Sequence, residues 1–170
     1  MSKTMAQKKN TDMSPPVFRT DLIGFSDIKC QSIKGWEEYL LEGRQYLNTA
    51  TRAFAEGRSA FTPEILYNVI AMAIEKMVMG ALMEQGKLPY NHTMRDLVEA
   101  MEEHLPDKIL GLGRQLTALD AYQEICDIDS YSIKPPAREE IPAMLSLATK
   151  LQKRITDDLA EGTDTAPKSV

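Results

Sequence analysis

Two histidines, His92 and His104, are the side chains of this 170-residue chain best suited to carrying a proton near neutral pH. His92 lies in the stretch GKLPYNHTMRDLVEAM, directly ahead of Thr93, with Arg95 three residues on. A helix that starts there presents unsatisfied backbone N–H groups and the positive end of its dipole, which attract anions. Tyr90, His92 and Arg95 are therefore candidate ligands for a phosphate. The competing reading, which is preferred, gives His92 the structural task of ordering the helix start beside Thr93. Tyr131 and Lys134 precede Pro135-Pro136 in the only long polar loop between helices, and loops held on rigid helices often carry function. His104 flanks an apolar stripe and reads as a boundary histidine. Glu75 and Lys76 stand out for a different reason, as charges inside an otherwise apolar helix. Lys76 either snorkels or pairs with an acid on another helix, or it is a cation kept for an acidic ligand; the structural account is preferred.

Several catalytic and cofactor signatures are absent from the sequence, and nothing in it points to a serine nucleophile with a histidine base. There is no HExxH, CxxC, GxxxxGK[ST] or GxGxxG. A di-iron bundle needs glutamate and histidine three apart on paired helices. Glu102, Glu103 and His104 have the wrong spacing, and position 101 is methionine. No metal and no cofactor are expected. Cys30 and Cys126 lie far apart and match no zinc or redox spacing, as two reduced thiols in a cytoplasm would. A formal net charge of −5, with acids and bases mixed along the chain, disfavours a broad nucleic-acid-binding face. The opening MSKTMAQKKN lacks the apolar core of a signal peptide, no apolar run is expected to reach the length of a membrane span, and the expected location is cytoplasmic.

The elements that must position these residues are helices. Trp36, Tyr39, Leu40, Leu47, Ala50 and Phe54 follow the three-and-four spacing of one buried face, which predicts a helix from Trp36 to Gly57. Thr62-Pro63-Glu64 is a helix-start signal, and Gly86 is a natural stop. Between them apolar residues cover nearly the whole circumference, leaving Glu64, Asn68 and Glu75 as a narrow polar strip. Such a helix is either central in a bundle or shared with a second subunit. A membrane reading fails at Glu75 and Lys76, which would sit mid-span. A third helix is predicted from Thr93, and a fourth carries Ile109, Leu112, Leu116, Leu119 and Cys126, weakened at Gly111 and Gly113. The last begins between Arg138 and Pro142 and buries Ile141, Leu145, Ala148, Leu151, Ile155 and Leu159. The fold class is all-α, an antiparallel up-and-down bundle of about five helices. Residues 1–16 read as a flexible leader, 17–160 as a single domain and 161–170 as a flexible tail; residues 17–34 form either a short helix or a strap.

In order, the chain presents a tryptophan-led helix, a long helix reading AIEKMVMGALMEQGKLP, a histidine-threonine turn, an amphipathic RDLVEAM helix and a tyrosine-proline loop before a final helix. This resembles the HEPN domain, the higher eukaryotes and prokaryotes nucleotide-binding domain, over roughly Trp36 to Leu159. The resemblance is greatest at Ala73, Glu75, Lys76, Gly86, His92, Asp96 and Leu97. It implies a helical bundle commonly paired as a homodimer. Some members are ribonucleases, and others work with a nucleotidyltransferase, bind nucleotides or act in toxin–antitoxin systems. The ribonuclease branch places Arg ahead of His with four to six residues between them. Here those positions hold Leu97, Val98 and Glu99 before His104, and Gln85, Gly86 and Lys87 before His92. The arginine-tyrosine-proline signature before the last helix is also altered, to Tyr131-Ser-Ile-Lys134-Pro135. The expectation is a non-catalytic HEPN-like homodimer. It binds a protein partner or a nucleotide-type ligand in a cleft with Tyr90, His92, Arg95, Tyr131 and Lys134. The alternatives are a degenerate HEPN ribonuclease acting on RNA, using His104 or His92 with Arg95, and a purely structural interaction module.

Overall fold

A computed structural model describes residues 31–122 and 135–161, with side chains to residue 157. The expectations for the leader, Cys30, Cys126, Tyr131 and Lys134 lie outside these residues, and that for Leu159 outside the described side chains. Helix α1 spans Trp36–Ala55, with Glu37 and Glu38 in its first turn and Arg52 in its last, each complementing the helix dipole. Helix α2 spans Pro63–Glu84. The Thr62 hydroxyl accepts from the Ile65 N–H at 3.4 Å, and Pro63 takes a first-turn position where no N–H is needed. Helix α3 spans Met94–His104 with Thr93 as its cap, and helix α6 spans Ile141–Glu161 after a 3-10 turn at Arg138–Glu140.

The predicted fourth helix is replaced by shorter pieces: α4 (Pro106–Ile109), α5 (Gly113–Thr117) and a 3-10 turn (Ala118–Tyr122). Gly111 divides them, because its φ of 72° lies in the left-handed region and cannot continue a right-handed helix. The apolar residues still reach the core: Ile109, Leu112, Leu116 and Leu119 are all buried. The spacing therefore identified the inward-facing residues while overstating the helix.

Among the described residues the structure is all-helical, and α2 is at its centre. Helix α1 makes the largest interface with α2, and α6 and α3 also pack on it. Leu66, Tyr67, Ile70, Ala73, Ile74 and every residue from Met77 to Met83 are buried. Contrary to the expectation from sequence, α2 is long and apolar enough by length and composition to cross a membrane. Two thirds of its apolar window is instead buried inside the protein. One chain thus supplies most of the cover that its all-round apolar pattern demands, leaving Ile65 and Met72 exposed.

Helices α1 and α2 run antiparallel and approach closely at two glycines. A Cβ on Gly80 would lie 2.9 Å from the Trp36 carbonyl oxygen and 2.7 Å from Leu40 Cδ2. A Cβ on Gly43 would lie 3.0 Å from the Ala73 carbonyl oxygen. At each position the added methyl would meet a side chain that can shift, Leu40 or Met77, and also a backbone carbonyl oxygen that can move only with its helix. Replacing Gly80 by alanine should therefore lower stability by about 1–2 kcal/mol in a urea titration, although alanine is the better helix former by about 1 kcal/mol. An unchanged or raised midpoint would show that the helices are not held this close.

Candidate functional site

The turn from Gly86 to Thr93 carries the sequence candidates between α2 and α3. It is anchored at its base, where the Gly86 and Lys87 N–H groups donate to the Met83 and Leu82 carbonyls at 3.0 and 2.9 Å. At its far end His92 Nδ1 lies 2.7 Å from Glu75 Oε1, in the geometry of a ring N–H donating to a carboxylate. His92 thereby pins the turn to α2, and Glu75 from the narrow polar strip is its partner. Lys76 has a partner too. Its ammonium sits 2.6 Å from Glu42 Oε2 on α1 and 4.1 Å from the centre of the Tyr39 ring. The Glu42 hydrogen bond raises the Lys76 pKa above the ordinary lysine value, with partial desolvation working against it.

The start of α3 is already filled by protein groups. The Met94 and Arg95 N–H groups donate to the two carboxylate oxygens of Asp120 at 2.8 and 3.0 Å. The Asp96 N–H donates to the Thr93 hydroxyl at 3.1 Å, and that hydroxyl in turn donates to the Asp96 carboxylate. Asp120 thus occupies the position that an anion would take at a bare helix end. Sequence spacing could not reveal this, because Asp120 lies beyond α3, α4 and α5 in the chain. Its neighbours complete a hydrogen-bonded knot. The buried Tyr67 hydroxyl donates to the Leu119 carbonyl at 2.9 Å, and its ring lies 5.4 Å from that of Tyr122. The Tyr122 hydroxyl donates to Glu140 Oε1 at 2.8 Å, while Glu140 Oε2 accepts from the Ala137 N–H at 2.8 Å. Burial, with Asp120 and Tyr122 adding to it, pushes the Tyr67 hydroxyl well above the usual tyrosine range, so it stays protonated and donates.

Two open grooves flank the outer ridge of α3. One, of about 590 Å³, lies against α5 and includes Arg95, Val98, Glu102, Arg114 and Thr117. The other, of about 450 Å³, lies against the turn and includes Leu88, Pro89, Tyr90, Asp96, Ala100 and His104. Glu99 borders both. Tyr90 and Arg95 therefore open into different grooves, and His92 lines neither. Arg95 and His104 are also separated, being about 180° apart around a helix that turns about 100° per residue. The three candidates of this turn do not converge on one ligand. Among the described residues no cluster of His, Cys, Asp and Glu could hold a metal ion. No protein-family model, curated protein or solved structure matches the chain.

The two polar anchors of this region should differ in strength. Asp120→Ala removes an acceptor from two helix-start amides and should cost about 1 kcal/mol in chemical denaturation, within the range of lost caps. His92→Ala breaks a largely exposed pair and should cost less than about 1 kcal/mol. A larger loss for His92 than for Asp120 would reverse this assignment of roles.

Proposed function

We propose that this chain is a non-catalytic, HEPN-like binding module of the cytoplasm that pairs with a second copy of itself and engages a protein partner. The observation that carries the reading is one side of the α1–α2 hairpin that stays uncovered among the described residues. Ile65 and Met72 are 42% and 41% exposed, and Val69 between them is half-buried. At about 100° per residue these three share a side of α2 with Lys76. Tyr39, Glu42 and Tyr46 share a side of α1, and the Lys76–Glu42 bond makes the two sides adjoin.

A two-fold interface must be complementary to itself. A face with apolar and aromatic residues around one cation and one anion meets that condition, because rotation sets opposite charges against each other. Helices of 20 and 22 residues are each about 30 Å long at a 1.5 Å rise, so the pair offers several hundred Å², the scale of a specific interface. The occupied amides at the start of α3 favour a protein partner over a nucleotide-type ligand. The separation of Arg95 from His104 favours binding over RNA cleavage.

Light scattering tests the pairing. The wild type should have twice the mass of one chain at micromolar concentration, whereas Met72→Glu should have the mass of one chain and keep its helical circular dichroism. A wild type that stays monomeric as concentration is raised would remove the homodimer from the proposal.

A further inference from the structure

The groove between α3 and the Gly86–Thr93 turn combines features that the binding-module reading leaves unspecified. Leu88 and Tyr90 are 56% and 93% exposed on a turn whose ends are fixed by the backbone bonds at Gly86 and Lys87 and by the Thr93 cap. They are held in solvent rather than folded inward, on a segment that need not be ordered again when something docks. Exposed tyrosine beside aliphatic surface is the kind of anchor on which interfaces concentrate their binding energy.

The facing wall is acidic and electrostatically unfavourable as it stands. Glu99 and Glu103 lie one turn apart on α3, a like-charge spacing that destabilises a helix. Glu102 and Glu103 fall in its last turn, where the dipole disfavours negative charge. Among the described residues no lysine or arginine forms an ion pair with Glu99, Glu102 or Glu103; Glu103 has only His104, its chain neighbour, at 3.7 Å. Asp96 adds a further carboxylate to the same groove. A cationic occupant would relieve both strains, and the apolar wall requires that it also carry apolar side chains.

We propose that this groove docks a basic peptide segment of a partner protein, with an apolar side chain set against Leu88 and Tyr90 and lysines or arginines against Glu99 and Glu103. The inference rests on the binding-module reading and names its partner class. A nucleic acid or free nucleotide is disfavoured by the charge of the wall, and a small polyamine would leave the apolar wall unused.

The probe is a fluorescein-labelled peptide of alternating lysine and leucine, titrated with full-length protein and read by anisotropy. Wild type should bind it, more weakly as salt is raised, and should not bind the same peptide with glutamate in place of lysine. Leu88→Ser with Tyr90→Ser should weaken binding by about tenfold or more, as should Glu99→Lys with Glu103→Lys. Arg114→Glu in the neighbouring groove should leave binding intact. Neutral Glu99→Gln with Glu103→Gln should give an intermediate loss, guarding against misfolding of the reversed variant. The proposal is overturned if wild type ignores the peptide, if the glutamate version binds equally, or if the groove variants bind as tightly as wild type. Complete displacement by spermine at matched charge, with no effect of Leu88 and Tyr90, would also overturn it. A monomer that binds the peptide removes the homodimer alone, and a dimer that ignores it removes this inference alone.

Discussion

The close approach of α1 to α2 is the constraint from which the remaining geometry follows. Gly43 and Gly80 let the two backbones come within van der Waals distance, and that spacing places Lys76 on Glu42 and over Tyr39. It also leaves α2's remaining apolar sides to be covered by α6 and α3. Dispersion contacts are individually small and fall off steeply with distance, so close packing along a 22-residue helix contributes collectively what no single side chain does. Because α2 is covered nearly all round, its few polar residues become attachment points. Glu75 holds the turn before α3, and Lys76 joins α2 to α1.

Polar groups are concentrated where helices begin and end. The 3-10 turn Ala118–Tyr122 takes part in three such attachments: the Leu119 carbonyl to Tyr67 on α2, the Asp120 carboxylate to the start of α3, and the Tyr122 hydroxyl to Glu140 ahead of α6. A short irregular segment therefore does what a longer helix could not, turning side chains toward three different elements. This has a functional consequence as well. The amides at the start of α3 are satisfied from within the chain, and the exposed turn beside them presents apolar surface and acid instead. The proposed docking of a peptide rather than a phosphate rests on that difference.

Much of this architecture was legible in local pattern. The Thr62-Pro63 and Thr93 starts, the apolar stripe of α3 and the burial of most of α2 each depend on residues within one element, so spacing alone reveals them. The polar strip of Glu64, Asn68 and Glu75 was legible for the same reason, and the pairing of Lys76 with an acid on another helix was anticipated without its partner being identified. Long-range features were not legible. Asp120 capping α3, His92 meeting Glu75 and Gly80 meeting Trp36 all join separate elements, and a spacing pattern carries no information about them. The grouping of Tyr90, His92 and Arg95 rested on nearness in sequence. Successive positions around a turn and a helix start point in different directions, and the structure sends Tyr90 and Arg95 into separate grooves. The fourth helix was overstated because its apolar spacing persists through Gly111, whose backbone interrupts the helix without turning the apolar residues outward.

The central claim is that α2 is the buried spine on which the other helices assemble, and native-state hydrogen exchange tests it most directly. Local opening exposes amides at low free-energy cost, whereas amides at the centre of a core exchange only when the whole domain unfolds. The amides from Ile70 to Leu82 should be the slowest to exchange, with a protection free energy equal to that of global unfolding from denaturant titration. Exchange of α2 before α1 and α6, or at a free energy well below global unfolding, would contradict the account.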